Sequence, residues 1–126
     1  MVGRRSELYK NHPDWVLKFK NGEKIKPWKM YNEPKVWGYQ DEEYYVLDTS
    51  NKQALSHIKN VFVSLKEMGA ELFKTDFMTW GIKDSSEVDR AEKGKTSVEY
   101  YREFMSVIRE SIKDSYWLGC IAPMLP

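Results

Sequence analysis

The sequence has one cysteine, almost no net charge and no long apolar run. Cys120 alone excludes an intrachain disulfide framework and a cysteine-based metal cluster. The 20 basic and 19 acidic residues leave a net charge of +1, which predicts neither a nucleic-acid partner nor a polybasic membrane anchor. No apolar run approaches the roughly 18 residues of a membrane span, and the polar N-terminus shows no signal peptide. We therefore expect no membrane, no metal and no cofactor, with a cytoplasmic location as the default.

The chain does have the size and composition of one globular domain. Its 126 residues are 41% hydrophobic and 31% charged, which is ordinary for a protein with a single core. Five tryptophans and eight tyrosines are many for this length. They indicate either a large aromatic core or aromatic platforms of the kind that hold sugar rings and bases.

Residues 1–43 are rich in turn formers and predict a long irregular segment, with a short strand or turn from Trp15 to Phe19. The run 44–47 (YYVL) then predicts a strand. Ser50 and Gln53 have the spacing of a capping box and predict the start of a helix. The apolar positions of this helix follow helical spacing up to the stop at Gly69: Ala54, Leu55, Ile58, Val61, Phe62, Leu65 and Met68.

A second strand is predicted from Glu71 to Phe77, followed by a polar loop over residues 79–95. Thr96 and Glu99 form another capping box, and Val98, Tyr101, Met105, Ile108 and Ile112 stripe a second helix. Residues 116–122 predict a third apolar strand. The order β-α-β-α-β predicts an α/β fold with parallel strands, either a small open sheet or part of a (β/α)8 barrel. A whole barrel needs about 250 residues.

Polar residues collect where the three strands end: Asp48, then Lys74 and Asp76, then Cys120. Active sites of α/β folds lie at this edge of the sheet. Each residue also has a structural interpretation. Asp48 can bond to loop amides, Cys120 can be an inert buried thiol, and Lys74 with Asp76 can be a plain ion pair, although burial would make that pair costly.

Two kinds of chemistry fit a carboxylate beside a lysine at a strand end. Asp76 can act as the nucleophile of a retaining glycoside hydrolase, with Lys74 keeping it ionised and bonding to sugar hydroxyls. Alternatively, Lys74 can form a Schiff base, with Asp76 as the proton carrier. The spacing does not separate these two roles.

The run YYVLDTSNKQALSHIKNVFVSLKEMGAELFKTDFMTWG (44–81) resembles the central barrel segment of the melibiase-type glycoside hydrolases, the α-galactosidase clan. Those enzymes have an aspartate–Thr–Asn turn, a helix, and a strand ending in Lys-x-Asp. Three further blocks are similar to the family: residues 6–15 to the segment after the second barrel strand, 94–101 to the start of the fourth helix, and 117–120 to the fifth strand.

This resemblance implies that residues 1–126 form part of a (β/α)8 barrel, about strands three to five, from a retaining enzyme that acts on α-galactoside-like carbohydrates. It implies that Asp76 is the nucleophile and that Lys74, Cys120, Asp48 and Trp15 bind the sugar. The family often has tryptophan where this chain has Thr75. The family's acid/base aspartate follows on a later strand, so we expect little activity from this chain alone, and self-association of the partial barrel.

A non-catalytic binding module is the alternative. Lysines alternate with aromatic residues in the first third of the chain, a pattern that suits single-stranded nucleic acid. They are Lys18, Lys20, Lys24, Lys26, Lys29 and Lys35, with Phe19, Trp28, Tyr31 and Trp37. Acidic residues at 23, 33 and 41–43 dilute this charge, and no nucleic-acid motif is present.

Overall fold

The computed structural model describes residues 1–27, 43–84 and 86–123. Its helices are α1 (Glu7–Asn11), α2 (Lys52–Glu67) and α3 (Ser97–Ile112), with a 3-10 helix at Met78–Ile82. Its strands are β1 (Val2–Gly3), β2 (Lys18–Phe19), β3 (Tyr44–Tyr45), β4 (Leu72–Thr75), β5 (Val88–Asp89) and β6 (Tyr116–Gly119). Among these residues no helix combines the length and the apolar character needed to cross a membrane.

Helix α2 begins one residue later than the predicted capping box. The N-cap is Asn51, whose side chain accepts hydrogen bonds from the backbone amides of Gln53 and Ala54. Ser50 is not the cap because its hydroxyl bonds to the Asp48 carboxylate instead. The predicted stop is confirmed, since Gly69 follows the helix with a φ of 96° that suits glycine.

Helix α3 begins with the predicted capping box. The Thr96 side chain accepts from the Glu99 amide, and the Glu99 carboxylate accepts from the Thr96 amide. Most of its apolar stripe packs inward, with Ile108 and Ile112 completely buried against Phe73 of β4, whereas Val98 at its start is 39% exposed. Helices α2 and α3 thus cover one face of the β4–β6 pair.

Strands β4 and β6 are parallel, as predicted, and α3 forms the crossover between them. The predicted parallel partner at residues 44–47 is not part of this pair. Instead β3 is antiparallel to β1, and Leu47 forms an antiparallel bridge with Val16. The described residues form a mixed α/β unit of three two-stranded sheets, without a closed barrel.

The segments predicted to be irregular contain short ordered elements. Residues 1–27 hold β1, α1 and β2, and the loop predicted over 79–95 holds part of the 3-10 helix as well as β5, which pairs antiparallel with β2. Strand β2 falls within the short strand or turn predicted from Trp15 to Phe19, whereas β1 and β5, with two residues each, have no periodic apolar pattern and were not predicted. Much of the lysine and aromatic stretch falls on residues 28–42, which lie outside the described residues.

The β4–β6 pair is buried on one face only. Phe73 points into the core with 5% exposure, whereas Leu72 and its partner Tyr116 on the other face are 63% and 64% exposed. Strand β4 is therefore covered on one face and open on the other. Lys74 lies on the open face because side chains two residues apart point the same way.

Candidate active site

The register of the parallel strands places Asp76 beside Cys120. Thr75 of β4 is paired with Gly119 of β6, so the next residue of each strand lies at the same edge. The Cys120 amide continues the ladder by donating to the Thr75 carbonyl at 2.7 Å. The structure thus brings together two side chains that are far apart in the sequence.

Both strands turn sharply just after these residues. Phe77 and Ile121 have left-handed backbones, with φ values of 54° and 46°. This conformation is unfavourable for large or β-branched side chains and is found mostly where the surrounding structure enforces it, often at functional sites. The turn lets the Phe77 amide donate to Asp76 Oδ1 at 2.7 Å. The carboxylate is therefore held by the backbone that follows it.

Lys74 completes the group at this edge. Its Nζ lies 3.4 Å from Asp76 Oδ2, and the two side chains are 53% and 35% exposed. The pair is open to solvent, so the heavy desolvation cost of a buried pair does not apply. A Schiff-base lysine needs a desolvated pocket or a second cation to lower its pKa. With a side chain that is 53% exposed, Lys74 does not lie in a desolvated pocket.

The charges of this group support an ionised carboxylate. The pKa of Asp76 is lowered, first by the hydrogen bond from the Cys120 thiol, then by the Phe77 amide and by Lys74. The pKa of the Cys120 thiol is raised, mainly by its hydrogen bond to Asp76. Asp76 thus remains an anion at neutral pH while Cys120 remains a protonated donor to it.

Asp48 lies in a different, buried polar cluster. Its Oδ1 accepts from the Ser50 amide at 3.0 Å and the Ser50 hydroxyl at 2.7 Å, and its Oδ2 accepts from the Ala91 amide at 2.7 Å. The structural interpretation of Asp48, bonding to loop amides, matches these contacts. Among the described residues, Asp48 bonds to Ser50, Ala91 and Arg90 rather than to the group around Asp76.

Arg90 is the partner of Asp48 that the sequence did not reveal. Its Nη1 lies 3.6 Å from Asp48 Oδ1, and the two side chains are only 3% and 4% exposed. Nη2 donates to the Lys83 carbonyl at 3.3 Å and to the Ser97 hydroxyl at 3.4 Å. We call Asp48 and Arg90, with the groups they bond to, the Asp48–Arg90 cluster. It joins the loop after β3, the loop before β5 and the start of α3.

Trp15 is buried beside the two histidines of the chain. Its ring stacks on His12 with a centroid distance of 3.8 Å and lies 5.8 Å from the ring of His57. Within the described part of the chain, these ring contacts of Trp15 are with His12 and His57 and not with the Asp76 group. Trp15 therefore packs within the fold, and its predicted sugar contact remains untested.

A cavity of about 230 Å³ opens on one side of Asp76. Its walls are mainly apolar and aromatic, including Phe77, Trp80 and Phe104, with Thr49 and Thr75 among the polar lining residues. Lys74 and Cys120 do not line it. The described residues contain no group of histidine, cysteine and acidic side chains suited to a metal ion.

These features define an α/β unit in which a parallel strand pair ends in a carboxylate, a lysine and a thiol. No family model matches the chain. In fold, it is similar to an α-galactosidase from Thermus thermophilus, TtGalA, in complex with stachyose. The TM-score is 0.71 at 22% identity over 98% of this chain. The same enzyme in complex with p-nitrophenyl α-D-galactopyranoside gives a TM-score of 0.72, also at 22% identity over 98% of this chain.

This likeness is one of fold, and it covers only a small part of the galactosidase structures. The chain spans 23% and 22% of the lengths of those two structures. The described residues therefore have the architecture of part of a glycoside hydrolase barrel. The similarity agrees with the fold that the sequence resemblance implied.

Proposed function

We propose that this chain is the nucleophile-bearing segment of a retaining, α-galactosidase-like glycoside hydrolase. Asp76 is the nucleophile, and Lys74 and Cys120 contact the sugar. The general acid/base carboxyl is supplied by a part of the barrel outside residues 1–126. The resemblance also implies Asp48 and Trp15 as sugar ligands, and for these two residues that role stays a prediction.

One observation carries this proposal: Asp76, Lys74 and Cys120 converge at the carboxyl edge of a parallel strand pair. A retaining hydrolase needs an ionised carboxylate that can attack the anomeric carbon from an open face. Asp76 meets both needs because its pKa is lowered and its side chain is 35% exposed. The fold-level likeness to galactoside-bound α-galactosidases supports the choice of substrate.

In the proposed step, a carboxylate oxygen of Asp76 attacks the anomeric carbon, an ester bond to the sugar forms, and the bond to the leaving group breaks. Lys74 lies close enough to Asp76 for its ammonium group to donate to a sugar hydroxyl and to the carboxylate at the same time. An ordinary alkoxide leaving group must be protonated by the acid/base carboxyl. Fluoride leaves without a proton.

This difference gives a direct test with α-galactosyl fluoride. In the absence of the acid/base residue, the glycosyl ester should form slowly and persist because no group activates water to hydrolyse it. We expect intact-mass spectrometry to show one added hexosyl unit, and peptide mapping to place it on Asp76. Asp76→Asn should remain unlabelled. An unlabelled wild-type chain, or labels spread over several carboxylates, would contradict the proposal.

A second measurement tests the inactivity of the isolated chain. We expect little or no nitrophenol release from p-nitrophenyl α-galactoside, because breakdown of the glycosyl ester also requires the missing acid/base group. Robust turnover that is abolished by Asp76→Ala would show that residues 1–126 are sufficient for catalysis.

We further propose that the chain self-associates through the open face of the β4–β6 pair. Leu72, Tyr116 and Leu118 expose apolar surface there that a complete barrel would cover. Light scattering should show an average mass above that of one chain, falling when Leu72→Lys is introduced. A monodisperse monomer at high concentration would rule this out.

A further inference from the structure

The Thr75 hydroxyl lies at the junction between the two strands that carry Asp76 and Cys120. It accepts a hydrogen bond from the Trp117 indole at 2.8 Å and donates one to the Met78 sulfur at 2.8 Å. Trp117 belongs to β6, and Met78 begins the 3-10 helix after β4. One hydroxyl therefore connects the partner strand to the segment that follows Asp76.

Both partners of this hydroxyl are themselves held in place. The Arg109 guanidinium lies over the Trp117 ring, 5.1 Å from its centroid, and donates to the Ser115 carbonyl at 3.1 Å. The Met78 sulfur would lie only 3.7 Å from a Cβ added at Gly119, the residue before Cys120. The contacts thus run from Arg109 of α3 through Trp117 and Thr75 to Met78.

The backbone of Thr75 acts at the same place. Its carbonyl accepts from the Cys120 amide, and the Thr79 amide donates to the Ile121 carbonyl at 3.0 Å. These bonds fix the two turns that present Asp76 and Cys120. The Thr75 side chain lies at the same junction, bonded to Trp117 on one side and to Met78 on the other.

We propose that Thr75 is a positioning residue, whose hydroxyl, held between Trp117 and Met78, fixes the contact between the Asp76 carboxylate and the Cys120 thiol. Its importance for catalysis rests on the proposed function. The contact itself does not, and it can be measured in the chain without any sugar.

Cys120 provides the measurement because it is the one cysteine of the sequence. The rate of alkylation by iodoacetamide follows the thiolate fraction, so its pH profile reports the thiol pKa. Because Asp76 raises that pKa, Asp76→Asn should move the profile to lower pH. Thr75→Val should shift it in the same direction because the contact loosens.

Matched variants separate positioning from a general loss of structure. Thr75→Ser keeps the hydroxyl and should retain the wild-type profile. Thr49→Val removes the hydroxyl of a different, buried threonine, one without a hydrogen-bond partner among the described residues, and should also leave the profile unchanged. If Thr75→Val does not fold, as judged by circular dichroism, Trp117→Phe removes the donor to Thr75 and should give the same shift.

An unchanged profile in the folded Thr75→Val chain, with a shifted one in Asp76→Asn, would overturn the positioning role. An unchanged profile in Asp76→Asn would overturn the contact on which that role depends. Neither result affects the α-galactosyl fluoride experiment. Failure of that experiment would remove the hydrolase assignment and leave the thiol measurement intact.

Discussion

Asp48→Asn removes the negative charge from the Asp48–Arg90 cluster while nearly preserving the size of the side chain. The Arg90 side chain is 3% exposed, so water cannot replace the lost anion. The asparagine has one acceptor oxygen. If that oxygen faces Ser50, the NH2 group of the asparagine side chain faces the Ala91 N–H, and two hydrogen-bond donors then oppose each other.

The expected cost follows from these contacts. Removing one partner of a buried ion pair typically costs about 3–5 kcal/mol, because the other charge remains buried. Because Arg90 keeps its hydrogen bonds to the Lys83 carbonyl and the Ser97 hydroxyl, we expect a cost at the lower end of this range, near ~3 kcal/mol. Domains are stable by only about 5–15 kcal/mol, so this is a large share of the total.

Equilibrium urea unfolding followed by tryptophan fluorescence measures this loss. With an m value of about 1–3 kcal/mol/M, the midpoint should fall by about 1–3 M. Lys10→Met is the control, because the Lys10–Glu7 pair is exposed, with side chains 56% and 77% accessible. It should change the free energy of unfolding by less than about 1 kcal/mol.

A double-mutant cycle completes the test. Arg90→Met removes the buried cation, so Asp48→Asn should cost less in that background than in the wild type. The coupling should be roughly 1–3 kcal/mol for residues in direct contact. If Asp48→Asn costs no more than the Lys10→Met control, or if the two substitutions simply add, the cluster does not stabilise the fold as described.

Three further predictions concern single sites. An aspartate in the unfolded chain has a pKa of about 3.9, and folding lowers the pKa of Asp76. The ionised carboxylate therefore stabilises the fold above that pH, and this stability is lost as the pH falls through the pKa of Asp76 in the folded chain. The urea midpoints of wild type and Asp76→Asn should therefore converge in acid. Gly81→Ala places a Cβ 2.8 Å from the Tyr101 ring and should cost about 1–3 kcal/mol by urea unfolding, whereas Gly3→Ala, with 3.7 Å to its nearest neighbour, should cost less. Thr96→Ala removes the cap of α3 and should lower stability by about 1 kcal/mol, with a matching fall in thermal midpoint by circular dichroism.

The sequence predicted the elements whose signals are local. The Thr96–Glu99 capping box, the apolar stripe of α3 and the stop at Gly69 each depend on residues within a few positions. Lys74 and Asp76 were predicted to point the same way because that follows from strand geometry alone. Their proximity to Cys120 followed once the two strands were recognised as parallel.

Features that depend on distant pairing were not predictable in the same way. The partner of β3 is the two-residue strand β1, which has no periodic pattern. Arg90 is one of several charges in a polar loop, and its partners Asp48 and Ser97 come from other parts of the chain. The exposure of Lys74 also required the structure, since it depends on what covers the second face of β4.

The parallel register of β4 and β6 has a consequence for the order of folding. Thr75 pairs with Gly119, so this contact forms only after the whole of α3 has been brought back across the sheet. Helices can form in about a microsecond or less, whereas pairing of distant strands is slow because the intervening chain must first be ordered. We therefore expect α2 and α3 to acquire helical structure early in refolding. The hydrogen bond between Asp76 and Cys120 should then be among the last native contacts to appear.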